Sequence, residues 1–382
     1  MSEEHAILAP SSAGVWVHCP GSVTMQQKHP EQGDKTSAAD GTAAHFAMME
    51  LVNNRMVVEG QIAPNGVILT QAMIEGAEMV QREVLRVMAI RPKAYVFCEQ
   101  RVAIPRVHPQ NWGTPDVVIW DEESKHLSII DFKFGFGIVE VFENLQLIDY
   151  AAGWFSQINA MQSAASLPAI SETELTVVFT IVQPRAYHME GPVRSWVSTG
   201  AKLRDKVFAL NMAADEAMGA DPQCKPKPEA CEHCSARHAC VALQRSVYRG
   251  MSMATQALST NMSSEALGLE LRLVVEALQL LEARKSGLQE QIESMMRHGA
   301  RVPHWTFAPG QAREKWLKED GEIITMGKML GVDLSKPVEA ITPAQAKAQG
   351  IDPSIVAAYA FRPPAALKLT LDDGPAARRI FE

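Results

Sequence analysis

A chain of 382 residues, 47% apolar and 21% charged, has the composition of a folded protein of two or three domains, which excludes bulk disorder. Its 44 acidic and 36 basic residues leave a net charge of −8, which argues against a generic nucleic-acid coat but not against a DNA enzyme with a local basic groove. No apolar run approaches the ~18 residues that cross a bilayer, and the acidic start Met1-Ser2-Glu3-Glu4-His5 lacks a signal-peptide pattern, so a cytoplasmic protein without membrane contact is expected.

Residues 1–36 read as loop, punctuated by Pro10, Pro20, Gly21, Pro30 and Gly33. Helical spacing begins near Ser37, with Asp40 as a cap and Phe46, Met49 and Val52 recurring on one face. A second amphipathic helix is predicted over 71–90, carried by Met73, Ala77, Val80, Val84 and Val87. The period then changes to that of strands: Tyr95–Ile104, Thr114–Trp120 and His126–Phe134, the last two joined by the polar turn 121–125. Helix returns over 142–162, a β-branched run follows at Leu175–Val182, and another helix at about 200–218. Helix, three strands, helix, strand predicts an α/β fold with one mixed sheet.

Residues 264–296 form one long predicted helix. Leu267, Leu271, Val274, Leu278, Leu281, Leu288, Ile292 and Met295 fall on a 4,3 alternation interrupted by Lys285. Such a seam is expected to pack inward or against an antiparallel neighbour, with a dimer coiled coil as the other reading. The division predicted is 1–250 as the main domain, 251–300 as the long helix, and 301–382 as an α-rich extension whose chemistry is not readable.

Three carboxylates flank the predicted strands. Glu99 lies in the first, Asp116 follows Gly113-Thr114-Pro115 at the start of the second, and Asp131 ends the third in Asp131-Phe132-Lys133. Period-2 alternation puts Asp131 and Lys133 on one face. Ile129 and Ile130 precede Asp131, which therefore emerges from a buried strand, where a carboxylate needs a partner or a cation. Hard oxygen donors suit Mg²⁺ or Mn²⁺, ions that acidify water and stabilise charge on a reacting phosphate. Taken alone, an Asp and a Lys two residues apart are most often a surface ion pair. The order of further residues raises the reading above that: His45 precedes the set on a helix, and Gln146 and Tyr150 share a face of the helix that follows it.

The cysteines are also patterned. Cys231-Glu-His-Cys234 and Cys240 give C-x2-C-x5-C, whose first pair can reach one metal centre, and a closed site asks for a fourth ligand from among Cys19, Cys224, His233 and His238. Six cysteines in a reducing compartment do not suggest a disulfide framework. Cys98 sits in an apolar strand as a core thiol, and Cys224, seven residues before the motif, reads as a bystander.

The succession His45, Glu99, Gly113-Thr114-Pro115-Asp116, Asp131-Phe132-Lys133, Gln146 and Tyr150 resembles the RecB-type nucleases of the PD-(D/E)XK superfamily, over roughly residues 5–245. The opening Ala9-Pro10-Ser11-Ser12 with Trp16 and Cys19-Pro20-Gly21, and the C-terminal extension, look like a phage and prophage branch of it. That resemblance implies a restriction-endonuclease-like core, a mixed sheet flanked by helices. It implies a divalent metal held by His45, Asp116, Asp131 and the Phe132 carbonyl. Lys133 would orient water and stabilise charge, Gln146 and Tyr150 would contact the DNA backbone or support Lys133, and Glu99 is the loosest carry-over. It also resembles the iron–sulfur members of the AddB-like and CRISPR-adaptation kind, with one cysteine far upstream and three downstream. By that likeness Cys19, Cys231, Cys234 and Cys240 would hold a [4Fe–4S] cluster that staples the ends of the nuclease domain, with zinc as the alternative. The implied function is a metal-dependent exonuclease acting on single- or double-stranded DNA ends in phage recombination or end processing. A phage single-strand annealing or single-strand-binding protein is the partner this suggests, and ring-shaped relatives allow a homo-oligomer. The rival is a nuclease-fold DNA-binding partner that cleaves little; a zinc-ribbon adaptor would leave the acid–lysine set without a purpose.

Overall fold

The computed structural model describes residues 6–30, 36–253 and 262–307, with Thr325 and Met329; the expected extension over 301–382 and the first five residues lie almost wholly outside these. The described residues up to His298 belong to one compact unit and those from Gly299 to another. The first unit is built on a five-stranded mixed sheet. Its strands are β1 (Tyr95–Cys98), β4 (Val117–Asp121), β5 (His126–Phe132), β6 (Thr176–Val182) and β7 (Val193–Thr199), side by side in that order, while β2 (Val102–Ala103) and β3 (Trp112–Gly113) form a separate two-stranded ribbon. All neighbours are antiparallel except β5 and β6, which run parallel and therefore need a crossover.

Helices α1 (Ala13–Trp16), α2 (Ser22–Lys28), α3 (Thr36–Val52) and α4 (Gln71–Ile90) precede the sheet. The crossover is α5 (Leu145–Ala164), capped by the Asn144 side chain on the Leu147 N–H, and α6 (Gly200–Ala217) follows β7. Alternation along β4 and β5 divides the core. Val118, Trp120, Leu127 and Ile129 face α5 and α6 with Trp16 and Trp154. Val117, Ile119, Ile130 and Phe132 face α3 and α4 with Met48, Met73 and Val80. The rest of the described chain is α7 (Pro228–Cys231), α8 (Val241–Met253) and α9 (Ser264–Arg297).

The structure departs from the sequence reading at several places. Within 1–36, read as loop, the chain forms α1 and α2. Asp40 lies inside α3, which starts at Thr36, and does not cap it. The run 95–104 is not one strand: the chain leaves the sheet at Glu99, whose φ of +50° breaks the ladder, and resumes as β2 in the ribbon. β7 was not anticipated; its Arg194 points inward, against the usual reading of a polar residue as solvent-facing, and hydrogen-bonds Gln183 and the Val139 carbonyl. The seam of α9 is not its packing face. Leu267, Val274 and Leu278 are each more than half exposed, while Leu280, Ala283 and Gly287 are buried against residues 231–247. A side chain at Gly287 would collide with Arg237 and His238, and Arg284 donates to the carbonyls of both, so close approach and backbone capping, rather than leucine periodicity, select the face.

Candidate functional site

The sheet register gathers the predicted acids at one end. Cys98 pairs with Val117 and Val117 with Ile130, so the residue after β1, the residue before β4 and the penultimate residue of β5 share that edge. They are Glu99, Asp116 and Asp131. The Glu99 N–H donates to the Asp116 carbonyl at 2.9 Å, and the Phe132 N–H donates to Asp116 Oδ2 at 2.5 Å, fixing the buried carboxylate against β5. The left-handed Glu99 is a non-glycine residue in a costly conformation, held where it turns its carboxylate toward the acids.

His45 on α3 completes the group. Its Nδ1 lies 3.1 Å from Asp116 Oδ1 and 3.5 Å from Glu99 Oε1, and its ring packs on Phe132. Ligand atoms of His45, Glu99 and Asp116 all lie within 4.8 Å of one another, the one such donor group among the described residues. Burial by itself lowers the basicity of the His45 imidazole, but Asp116 and Glu99 outweigh it and hold the pKa up at about 10. The imidazolium thus supplies the positive charge that the acids require. A divalent cation on the same atoms would displace its proton.

Asp131 is arranged differently. Its Oδ1 accepts from Lys133 Nζ at 3.2 Å and from Gln146 Nε2 at 3.0 Å. Gln146 Oε1 also accepts from Lys133, so α5 clamps the ammonium from the other side. Burial raises the Asp131 pKa against the pull of Lys133, with Asp116 adding to the rise. For Lys133, burial is outweighed by Asp131 and Asp116, and the ammonium stays charged. Asp131 Oδ2 stands 3.0 Å from Lys133 Nζ, yet among the described residues it accepts no hydrogen bond. Its neighbour is the Lys133 ammonium, and together with the adjoining carboxylate–imidazole group these hard donors fit a divalent cation. Tyr150 is farther back: its hydroxyl donates to the Thr114 carbonyl at 3.3 Å and receives Gln146 at 3.5 Å, which ties α5 to the Gly-Thr-Pro-Asp turn.

Five cysteines meet at a second place. Cys19, Cys224, Cys231, Cys234 and Cys240 line a cavity of about 20 Å³ with Ser22, Met25, Ala230 and Leu243. Cys224 is therefore no bystander. The signal in the sequence was Pro222 and Pro226, which flank it and keep the segment out of helix where it lies along residues 19–21. Burial pushes the Cys231 thiol up to about 12 and the Cys234 thiol to about 11, so a bound cation is what would draw them into the thiolate form. No three of these sulfurs lie within 4.8 Å of one another. Thiolates around one zinc, at ~2.3 Å from it, would stand roughly 3.8 Å apart. Cysteines gathered around one cavity are the donor set that either a zinc ion or an iron–sulfur cluster takes. Cys98 packs beside the acids, half-buried, away from this group.

Fold and site together define a mixed α/β protein carrying an acid–imidazole–lysine set at one end of its sheet. The chain belongs to the DUF2800 family, described as a protein of unknown function, which it matches over residues 5–348. Among solved structures it is similar to a phage-related exonuclease from Haemophilus somnus 129PT, at 12% identity over 54% of this chain and 91% of that one, with a TM-score of 0.20. Among the described residues, no helix is long and apolar enough to cross a membrane.

Proposed function

We propose that the chain is a divalent-metal-dependent deoxyribonuclease that hydrolyses phosphodiester bonds from DNA ends, as the resemblance to RecB-type PD-(D/E)XK nucleases implies. The observation that carries the reading is the register that brings Glu99, Asp116 and Asp131 to one sheet edge with Lys133 hydrogen-bonded to Asp131. An isolated surface ion pair needs neither a buried carboxylate beside it nor an imidazole between two more acids.

His45, Glu99, Asp116, Asp131 and the Phe132 carbonyl are the candidate donors to Mg²⁺ or Mn²⁺. When bound, such an ion supplies Lewis acidity, which polarises the phosphoryl oxygen and acidifies water. The chain's own residues do the rest. Lys133, fixed by Asp131 and Gln146, presents a full positive charge to a scissile phosphate in a site that excludes most solvent. Gln146 accepts from Lys133 and donates to Asp131, and so fixes the ion pair against α5. Tyr150 holds the Thr114 carbonyl and hence the turn that delivers Asp116.

Cys19, Cys231, Cys234 and Cys240 are the proposed ligands of a [4Fe–4S] cluster. Its role in this reading is structural, joining the N-terminal segment to residues 231–240. The gathering of these four cysteines around one cavity supports a bound metal group there.

End-labelled single- and double-stranded DNA, incubated with the protein in Mg²⁺ and in Mn²⁺, tests the activity. Loss of label that stops with EDTA, with covalently closed circles surviving, is the expected result. Tight DNA binding without cleavage in either metal would instead identify a nuclease-fold binding partner.

A further inference from the structure

β5 and β6 run parallel, so the loops that leave them, residues 133–144 and 183–192, emerge at the edge that carries the acids. Open α/β sheets take their ligands outside the carboxyl ends of such strands. The two loops are bound to each other. Gln183, fully buried, donates through Nε2 to the carbonyls of Gly135 at 3.3 Å and Gly137 at 2.5 Å, and its Oε1 accepts from the Val139 N–H at 3.2 Å. The buried Arg194 donates to the same Oε1 and to the Val139 carbonyl. His188 meets Glu140 at 3.4 Å.

What this frame presents is an aromatic ring. Phe136 stands between the two glycines whose carbonyls Gln183 holds, and it is 68% exposed. The Arg185 guanidinium lies 3.8 Å from the centre of its ring and 4.5 Å from that of Phe134. Phe134 packs on Phe132 at 6.1 Å, and Phe132 on His45 at 5.4 Å. The row His45, Phe132, Phe134, Arg185, Phe136 thus runs from the candidate metal donors out to solvent. Among the described residues, Arg185 makes no ion pair or hydrogen bond, so its charge is open to an anion. Ile138, Tyr187 and Met189, on the same two loops, are exposed as well. An exposed ring contributes nothing by burial, yet two buried polar side chains fix the loop that carries it. Such preorganisation serves a contact made outside the chain.

We propose that Phe136, backed by Arg185, is a stacking platform for a base of single-stranded DNA whose backbone enters the acidic site. The inference rests on the reading of that site as one that takes DNA. Along the chain Phe136 lies at most about 10 Å from Lys133, the rise of roughly three stacked nucleotides, so ring and ammonium serve the same strand. Every base has a π-face, so the platform accepts any sequence, and the guanidinium adds attraction for the phosphate. Within a duplex both faces of a base are covered by its neighbours, so the strand at the platform is unpaired.

The test uses the full chain, as wild type, Phe136→Ala and Phe136→Tyr, in Ca²⁺, with the intactness of the probe checked on a gel. The probes are single-stranded oligonucleotides of mixed sequence carrying 2-aminopurine, whose fluorescence falls on stacking, at successive positions from either end. Wild type and Phe136→Tyr are expected to quench the same position and to bind equally. Phe136→Ala loses the quench and binds the single strand about tenfold more weakly, the loss of one base–aromatic stack, while the same strand in a duplex loses less. Wild type that binds no single strand, or Phe136→Ala with unchanged quench and affinity, overturns the proposal. A lower melting temperature of Phe136→Ala with unchanged affinity means that the ring packs on the protein itself, and overturns it too. An equal loss on single strand and duplex rules out the unpaired base. Cleavage is read separately. Wild type that quenches the probe but cuts no DNA in Mg²⁺ or Mn²⁺ keeps the platform and removes the nuclease reading, whereas cleavage of single strands by Phe136→Ala with wild-type KM and an unchanged quench removes the platform alone.

Discussion

At the scale of single residues, the acids are distinguished by what neutralises them. Asp116 has an imidazolium and a backbone N–H, whereas Asp131 has an ammonium and an amide and keeps one oxygen without a hydrogen bond. Removing Lys133 leaves the phosphate charge unopposed, and Lys133→Ala is expected to lower turnover about 10²–10³-fold, the usual loss of one preorganised electrostatic group. Asp116→Ala and Asp131→Ala should lose at least as much, with DNA binding and melting temperature largely kept. His45→Ala, one neutral donor among several, should lose less. Near-wild-type turnover of Asp131→Ala in both Mg²⁺ and Mn²⁺ would disprove the site. Asp149 is a different case. It is fully buried, its two oxygens share the Asn111 amide, and burial lifts its pKa to about 7. The folded state therefore keeps a proton that the unfolded chain releases near pH 4. Stability from this group is fully present below pH 4 and is lost as pH rises toward 7, amounting to a few kcal/mol at about 1.4 kcal/mol per pH unit. The thermal midpoint of Asp149→Asn, measured against the wild type at pH 5 and pH 8, is expected to gain on it at pH 8. An equal difference at both values would show that Asp149 is ionised throughout.

At the scale of elements, close approach decides what periodicity leaves open. Gly287→Ala pushes a methyl into Arg237 and His238, which costs roughly 1–3 kcal/mol as overpacking, whereas Leu278→Gln on the exposed seam should change stability by less than about 0.5 kcal/mol. Denaturant midpoints of the two variants check this, and the reverse order would mean that the helix packs by its seam. The same physics explains what the sequence made legible. The helix at 71–90 was readable to the residue, because one face is apolar throughout and Thr70 caps it on the Met73 N–H. β5 was readable because it is buried on both sides. The break at Glu99 was not, because a left-handed residue leaves no trace in the alternation of apolar side chains. His45, Asp116, Asp131, Lys133 and Gln146 could be chosen from their order along the chain, and the pairing of Asp131 with Lys133 from strand alternation, but that Glu99 joins His45 and Asp116 depends on the register. The place of Cys224 depends on a contact with residues some 200 positions away, which no local pattern encodes.

At the scale of the molecule, the two ends of the sheet-bearing unit are joined at the cysteines. Cys19 accepts from Lys225, 206 residues along the chain, and Ser235 donates from its backbone to the Gln26 side chain and from its hydroxyl to the His29 carbonyl. These bonds are exchanged for bonds to water on unfolding, and each contributes only about 0.5–1.5 kcal/mol. A cluster bridging Cys19 to Cys231, Cys234 and Cys240 would add a covalent constraint across the same gap. The entropy it removes from the unfolded chain grows with the length of the loop it closes, slowly but over some 200 residues. Because the hydrogen bonds already hold the ends together, chelation of the iron should not unfold the sheet; it should lower the melting temperature. At roughly 2–4 °C per kcal/mol for a unit of this size, a shift of several degrees is expected. Cys19→Ser should show the same shift without chelator and no further shift with it, and Cys98→Ser, whose sulfur packs beside the acids, should show the wild-type response. If chelation leaves the melting temperature unchanged in iron-loaded wild-type protein, the cluster is no staple, and the two ends are held by their hydrogen bonds and apolar contacts alone.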